Sequence, residues 1–341
     1  MGATGILTSC SVQARRYPID VTIILVVTAL LLASCVTGMS RSDLAIDYFN
    51  LANAYADLGK DEKALEYYGK AINLKPDLVR ASYNLARIYL KQGRIADALK
   101  ILQTMLVKDP SNVMVLETEA YALFLSGDKE KALADYRRAL GLDPYSSDLL
   151  NNLAVVEHDL GHFKDAYDNA RKAHGLSPDS ADILLLLAKY AADADQTEEA
   201  IKDYEDYVQL KPDDQSATVA LGDLYAKEHY YDRALKAYSA AVEKKPDPAV
   251  TFKKAAIELT AAEDATGGLK DLEEALKAGF ADAKAITGLL AAPNLTGRND
   301  VVALLEKYKL MDAQKQLPGA APSSSGPASA AETGAVPAAP K

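Results

Sequence analysis

Residues Ala45–Pro76 read AIDYFNLANAYADLGKDEKALEYYGKAINLKP. Tyr48, Leu51, Ala52 and Tyr55 precede Gly59, and Ala64, Tyr68 and Ala71 follow it at helical spacing before Pro76 closes the stretch. The pattern describes two helices, a glycine turn between them and a proline stop. The closing proline recurs every 34 residues, at Pro76, Pro110, Pro144, Pro178, Pro212 and Pro246. A fixed period of this length predicts helix pairs that bury their apolar faces against neighbouring pairs.

The residues between the prolines keep the same register. A small residue recurs in the middle of each first helix (Ala52, Ala86, Ala120, Ala154, Ala188, Gly222), and alanine opens each second helix (Ala64, Ala98, Ala132, Ala166, Ala200, Ala234). Small residues let helices approach, and the surrounding Leu and Tyr fill the remaining space. Gly59, Gly93, Gly127 and Gly161 fall where a left-handed residue ends the first helix. The fifth and sixth units have Asp195 and His229 there instead. Proline lacks an N–H and clashes with the preceding turn, so it stops the second helix. Asp77, Ser111, Asn112, Asp179, Asp213 and Asp247 are expected to cap the helix that follows.

These motifs resemble the tetratricopeptide repeat family, from about Ala45 to Pro246. The resemblance implies an all-α fold, a right-handed superhelical solenoid of helix-turn-helix repeats. The family's frequent Trp is missing, because the chain has none. Six repeats are expected over 43–246. A degenerate seventh is expected over 247–280, with Gly268 in place of the opening alanine and Phe280 in place of the proline. Capping helices over 281–317 would break around Pro293 and Gly297.

The ends have a different composition. Arg15 and Arg16 precede an apolar run, VTIILVVTALLL from Val21 to Leu32, which ends in Leu32-Ala33-Ser34-Cys35. A basic region, a short apolar region and a small-residue cleavage site form a secretory signal over 1–34. The Leu-Ala-Ser-Cys ending looks like a bacterial lipobox, which makes Cys35 the expected lipidation site and 35–42 a lipidated linker. The alternative is an uncleaved membrane helix, for which the 16 residues from Val21 to Val36 are short. Lipidation places the chain in the cell envelope, anchored to a bacterial membrane and facing the periplasm. Val36, rather than Asp, after the cysteine favours the outer membrane. Both cysteines lie in the first 35 residues, so the body holds no disulfide of its own. The tail over 318–341, PGAAPSSSGPASAAETGAVPAAPK, is expected to be disordered, because it has almost no large apolar residue to bury.

The net charge is −10; Arg15, Arg16 and Asp20 give the leader +1, which leaves −11 on the remainder. That balance excludes a nucleic-acid reader, which needs a basic face. No phosphate-binding Gly-rich loop, HExxH or GxSxG occurs, so no enzyme, cofactor or metal site is expected. His158 and His162 flank Gly161, which breaks the helix and keeps them off a shared face.

The resemblance further implies that first helices line a concave groove. Its partner-binding candidates are Phe49, Asn50, Asn53, Arg80, Tyr83, Asn84, Arg87, Tyr121, Phe124, Asn151 and Asn152. Lys91, Met114 and Glu117 extend the early half, and Asp148, His158, Asp159, Asp182, Asp193 and Asp223 make the later half more acidic. Phe49, Tyr83, Tyr121 and Phe124 are the expected aromatic anchors. Asn50, Asn84 and Asn152 share one repeat position, interrupted by Thr118, Leu186 and Ala220. In some family members such asparagines bond a peptide backbone, since an amide both donates and accepts; ordinary repeat consensus is the other reading. Phe49 and Met114 stand where a carboxylate clamp needs basic residues, which rules that clamp out. The expected partners are envelope proteins or an extended peptide, with a lipid anchor in the membrane and no nucleic acid. A small-molecule or lipid-binding lipoprotein associated with a transporter is the alternative.

Overall fold

A computed structural model describes residues 40–310 and 336–339. The leader, Cys35 and most of the tail lie outside these residues. The described residues form sixteen α-helices and no strand. The chain divides into two compact units at Gln92 and Gly93.

The first unit contains α1 (Arg41–Asp57), α2 (Asp61–Leu74) and α3 (Val79–Lys91). The second contains α4 (Ile95–Lys108), α5 (Val113–Leu125), α6 (Lys129–Leu142), α7 (Ser147–Asp159), α8 (Phe163–Leu176), α9 (Ala181–Asp193) and α10 (Thr197–Leu210). It continues through α11 (Gln215–Lys227), α12 (Tyr231–Lys244), α13 (Pro248–Thr260), α14 (Ala265–Lys277), α15 (Ala283–Ala291) and α16 (Arg298–Lys307). Within each unit, helices adjacent in sequence pack on one another from α1 to α3 and from α4 to α14, in the manner of tetratricopeptide helix pairs. The repeated small residues sit at the contacts: Ala52, Ala64, Ala120, Ala132, Ala154, Ala166, Ala188, Ala200 and Ala234 are all fully buried.

The proline works through the residue before it. Each second helix from α2 to α12 ends two residues ahead of its proline, and the pre-proline residue leaves helical geometry, as at Lys75 (φ −138, ψ 86) and Asp109 (φ −134, ψ 87). A proline ring disfavours the helical conformation one residue upstream. The same residue accepts a turn hydrogen bond three residues on: Leu78 to Lys75 O at 3.0 Å, Ser180 to Ser177 O at 3.2 Å, Asp214 to Lys211 O at 3.1 Å. Proline therefore occupies the second position of a four-residue turn, which its fixed φ favours.

That turn relocates the caps. The helix N-caps are Asn112, Ser146, Ser180 and Asp214, each two residues past a proline and each accepting from the backbone N–H three residues on. Asn112 caps as expected, whereas Asp77, Ser111, Asp179 and Asp213, also expected as caps, sit inside the turn. Leu78 occupies the cap position of α3 and supplies no side-chain bond. Asp247 does cap α13, with Pro248 opening that helix.

All six first-helix turns use left-handed backbone, at Gly59, Gly93, Gly127 and Gly161 and also at Asp195 (φ 58) and His229 (φ 62). The substitutions keep the turn and place non-glycine residues in a disfavoured conformation.

Beyond Pro246, α13 and α14 pair like the earlier helices. Phe280, where the next proline falls due, stacks on Phe252 with ring centroids 4.2 Å apart. The link between α15 and α16 returns to α13: the Thr296 N–H and hydroxyl both donate to Leu259 O, at 2.8 and 2.7 Å. Ile286, Leu289, Leu295, Val301 and Leu305 complete an apolar cluster over Leu259 and Leu272. No helix among the described residues is long and apolar enough to cross a membrane.

Candidate functional site

In the first unit, the candidate residues of α1 and α3 bond to one another and to α2. The Tyr68 hydroxyl donates to Asn53 Oδ1 at 2.5 Å; Asn84 Nδ2 donates to the same oxygen at 3.0 Å and to the Tyr68 hydroxyl at 3.2 Å. Burial pushes the Tyr68 phenol above its ordinary pKa, and the Asn84 hydrogen bond opposes that shift. Asn53 and Asn84 thus tie two neighbouring first helices together, while Asn50 is exposed.

Two of the expected aromatic anchors present little surface. Phe49 is 7% exposed and Tyr83 4% exposed. Phe49 packs on Tyr68 with ring centroids 6.0 Å apart, and the Arg80 guanidinium lies 5.5 Å above its ring. Arg87 lies 5.9 Å above the Tyr83 ring. The accessible groups here are the two guanidinium ions stacked on aromatic faces, so the expected exposed Phe49 and Tyr83 are corrected to a basic surface backed by rings.

In the second unit, Tyr121 and Phe124 of α5 are half-buried, and Phe124 packs against the large central apolar cluster. Asn152 of α7 lies at the centre of the polar contacts. Its Nδ2 donates to Glu117 Oε1 of α5 at 3.3 Å and to the carbonyl oxygen of Ala338 at 3.3 Å. Its Oδ1 accepts the Ala338 N–H at 2.8 Å. One side-chain amide therefore pairs with both main-chain groups of a single residue. Asn152 is 1% exposed, and beside it the buried Asn151 Oδ1 meets no donor among the described residues. The tail, expected to be disordered throughout, is seated on α7 at Val336–Ala339.

Several acids of the later half have partners in place. Lys129 pairs with Asp159 at 2.5 Å, Lys253 with Asp223 at 2.7 Å, and His158 Nε2 lies 2.7 Å from Asp193 Oδ2. The His158 ring also stacks on Tyr190 at 4.5 Å. His162 is the N-cap residue of α8 and exposed, on the far side of the Gly161 turn. Asp148 and Asp182 stay on the surface. Among the described residues, no three His, Cys, Asp or Glu side chains are grouped to hold a metal ion.

Sequence reasoning did not single out Glu157. Its carboxylate is 1% exposed and holds three helices together, accepting from Arg137 of α6 at 2.9 Å and Asn169 of α8 at 2.7 Å. Nor did it find the cleft between α11, α13 and the start of α15. This space of 360 Å³ is lined by Asp223, Tyr238, Phe252, Lys253, Ile257 and Phe280 among others.

A TPR-repeat family model matches residues 52–93, and a tetratricopeptide-repeat model matches 83–147 and 164–215. Among solved structures, a tetratricopeptide repeat protein from Parabacteroides merdae is 19% identical. It covers 76% of this chain and 98% of its own length at a TM-score of 0.51. YrrB, described as a TPR protein with an unusual peptide-binding site, is 21% identical and covers 55% of this chain and 96% of its own length at a TM-score of 0.50. At these identities the likeness concerns the fold. A search of curated proteins found no match. The chain carries tetratricopeptide repeats, and such a scaffold is suited to protein–protein interaction.

Proposed function

We propose that this chain is a membrane-anchored tetratricopeptide scaffold of the bacterial cell envelope. It captures partner proteins by an extended segment laid along its first helices. The supporting observation is the Asn152 side chain, whose amide pairs with the N–H and C=O of a non-helical residue at 2.8 and 3.3 Å. An amide in that role reads main chain without regard to side chain, which is what a site for extended peptide requires. The half-buried Tyr121 and Phe124 lie on the neighbouring first helix, and Glu117 of that helix bonds Asn152, so apolar and polar contacts adjoin. YrrB is a TPR protein with a peptide-binding site, which accords with this use of the fold.

The lipid anchor at Cys35 rests on the Leu32-Ala33-Ser34-Cys35 sequence alone. Radiolabelled palmitate incorporation tests it, with Cys35→Ala as the control. The groove is tested in whole cells with a photo-crosslinker at Tyr121. The reading predicts discrete envelope adducts that disappear in an Asn152→Ala background; adducts indifferent to that change overturn it.

The 360 Å³ cleft supports a second reading, a small-molecule or lipid-binding lipoprotein associated with a transporter. Phe252 and Phe280 supply an apolar wall, and the Lys253–Asp223 pair supplies polar groups. Native mass spectrometry of the purified protein separates the readings: a retained organic ligand supports the second, and a clean polypeptide mass removes it.

A further inference from the structure

The partner of Asn152 belongs to the chain itself. Residues Val336–Ala339 read Val-Pro-Ala-Ala and adopt no regular secondary structure. Pro337 is buried, whereas Val336, Ala338 and Ala339 remain exposed. Among the described residues, the attachment consists of one buried ring and one bidentate main-chain pair.

The sequence around this point suits docking as an extended strand. Proline fixes its own φ, and Val336 and Ala339 each precede a proline, which biases them to extended geometry. A segment held extended before it binds loses little conformational freedom on binding. Reach is ample: Leu310 and Val336 are 26 residues apart, and that length of chain spans up to roughly 90 Å.

We propose that Val336–Ala339 is the resident ligand of the Asn152 site, bound by its own chain, and that a partner segment binds by displacing it. The proposal rests on the groove reading above and names the regulation of that site. A tethered segment competes at an effective concentration on the order of millimolar. A tail whose intrinsic Kd lies near that concentration leaves bound and empty site both populated. The tail then weakens every competing segment by the same severalfold factor, and a partner displaces it once its concentration exceeds its own Kd by that factor. The occupant also describes the partner: an extended stretch rich in proline and small residues, with a free N–H and C=O facing Asn152.

The test uses isotope-labelled full-length chain in detergent and two substitutions, read by amide spectra. Asn152→Ala removes the side-chain amide. Ala338→Pro removes the tail's N–H and, lying in an exposed segment, leaves the helices folded. The expected result is that Asn152→Ala moves the Val336, Ala338 and Ala339 resonances to random-coil positions. Ala338→Pro should move the Asn152 side-chain amide. The synthetic peptide Thr333–Lys341 should then bind Ala338→Pro severalfold more tightly than the wild-type chain, and should not bind the double variant. Tail resonances already at random-coil positions in the wild type, or unmoved by Asn152→Ala, overturn the proposal. So does a tail shift that fades on tenfold dilution, since the tail would then belong to a second copy. If the tail is indifferent to Asn152→Ala while crosslinked partners are still lost, the resident-ligand proposal falls and the groove reading stands. If the tail responds and partners do not, the groove reading falls.

Discussion

The Tyr238 hydroxyl donates to Asp223 Oδ1 at 2.6 Å, fifteen residues back along the chain. Tyr68 makes the same contact with Asn53 at the same separation. The geometry follows from the repeat, because a second-helix tyrosine reaches one fixed position of its own first helix. Tyr136 occupies the same register, but the residue fifteen positions before it is Tyr121, and its fully buried hydroxyl meets no partner among the described residues. Burial accordingly pushes the Tyr136 phenol well above its ordinary pKa.

Removing these hydroxyls should therefore have unequal effects. Tyr68→Phe and Tyr238→Phe each lose a made hydrogen bond and should cost about 1 kcal/mol. Tyr136→Phe removes an unsatisfied buried group and should be neutral or stabilising by up to about 1 kcal/mol. Chemical denaturation of the three variants, compared by midpoint, checks the order; a Tyr136→Phe as costly as Tyr68→Phe would contradict it.

Asp195 and His229 hold φ values of 58° and 62° in turns where four other repeats have glycine. Left-handed backbone penalises a residue with a Cβ, while glycine carries a larger entropy cost from the unfolded state. The balance predicts that Asp195→Gly and His229→Gly each stabilise by roughly 0.5–1 kcal/mol. His229 should gain at the lower end, because its Nδ1 lies 2.7 Å from the Tyr231 hydroxyl and that contact is lost. Thermal melts of the single and double variants report the effect, and a lowered melting temperature for Asp195→Gly would sink the argument.

Gly222 and Gly268 look like interchangeable departures from alanine, but space makes them requirements. A Cβ on Gly222 would lie 2.6 Å from Tyr238 Cε1, and one on Gly268 would lie 2.6 Å from Leu259 Cγ and 3.1 Å from the Leu259 backbone nitrogen. The Tyr238 ring can swing aside, at the expense of its bond to Asp223. The α13 backbone beside Gly268 cannot move as easily. Gly268→Ala should cost about 1–3 kcal/mol and Gly222→Ala less. The expected order appears in denaturation midpoints, with the far-ultraviolet helix signal as a check that both variants fold.

The period, the helix pairs and the left-handed turns were legible because each has a local signature: a proline stop, a small residue at a close contact, a glycine. Asn112 and Asp247 cap as expected, but the caps expected at Asp179 and Asp213 fall one residue further on, at Ser180 and Asp214, because the turn around each proline involves the residue before it and sets the cap two residues beyond. The burial of Phe49 and Tyr83 depends on Arg80, Arg87 and Tyr68 covering their rings, which helical periodicity does not encode. The seat of Ala338 on Asn152 was hidden for a further reason. It uses main-chain groups, which every residue has, in a segment whose composition carries no apolar pattern.

Glu119 of α5 is 7% exposed, and burial raises its pKa above 4.5, assisted by the nearby Asp135 carboxylate; hydrogen bonding to Gln103 and the charge of Arg138 oppose the shift. Burial raises Asp135 as well. A folded-state pKa above the unfolded value means that the unfolded chain ionises first as pH rises. The fold is then favoured below the unfolded pKa and loses stability as pH rises through the folded value. At neutral pH, Glu119 is therefore a net penalty. Glu119→Gln keeps a partner for Gln103 and removes the buried charge, so it should raise the melting temperature at pH 7. The gain should shrink on acidification and vanish below about pH 4, where the wild-type carboxyl is protonated in both states. Melting temperatures of wild type and Glu119→Gln between pH 3.5 and 7.5 make the comparison; a difference constant across that range would show that the charge is not its source.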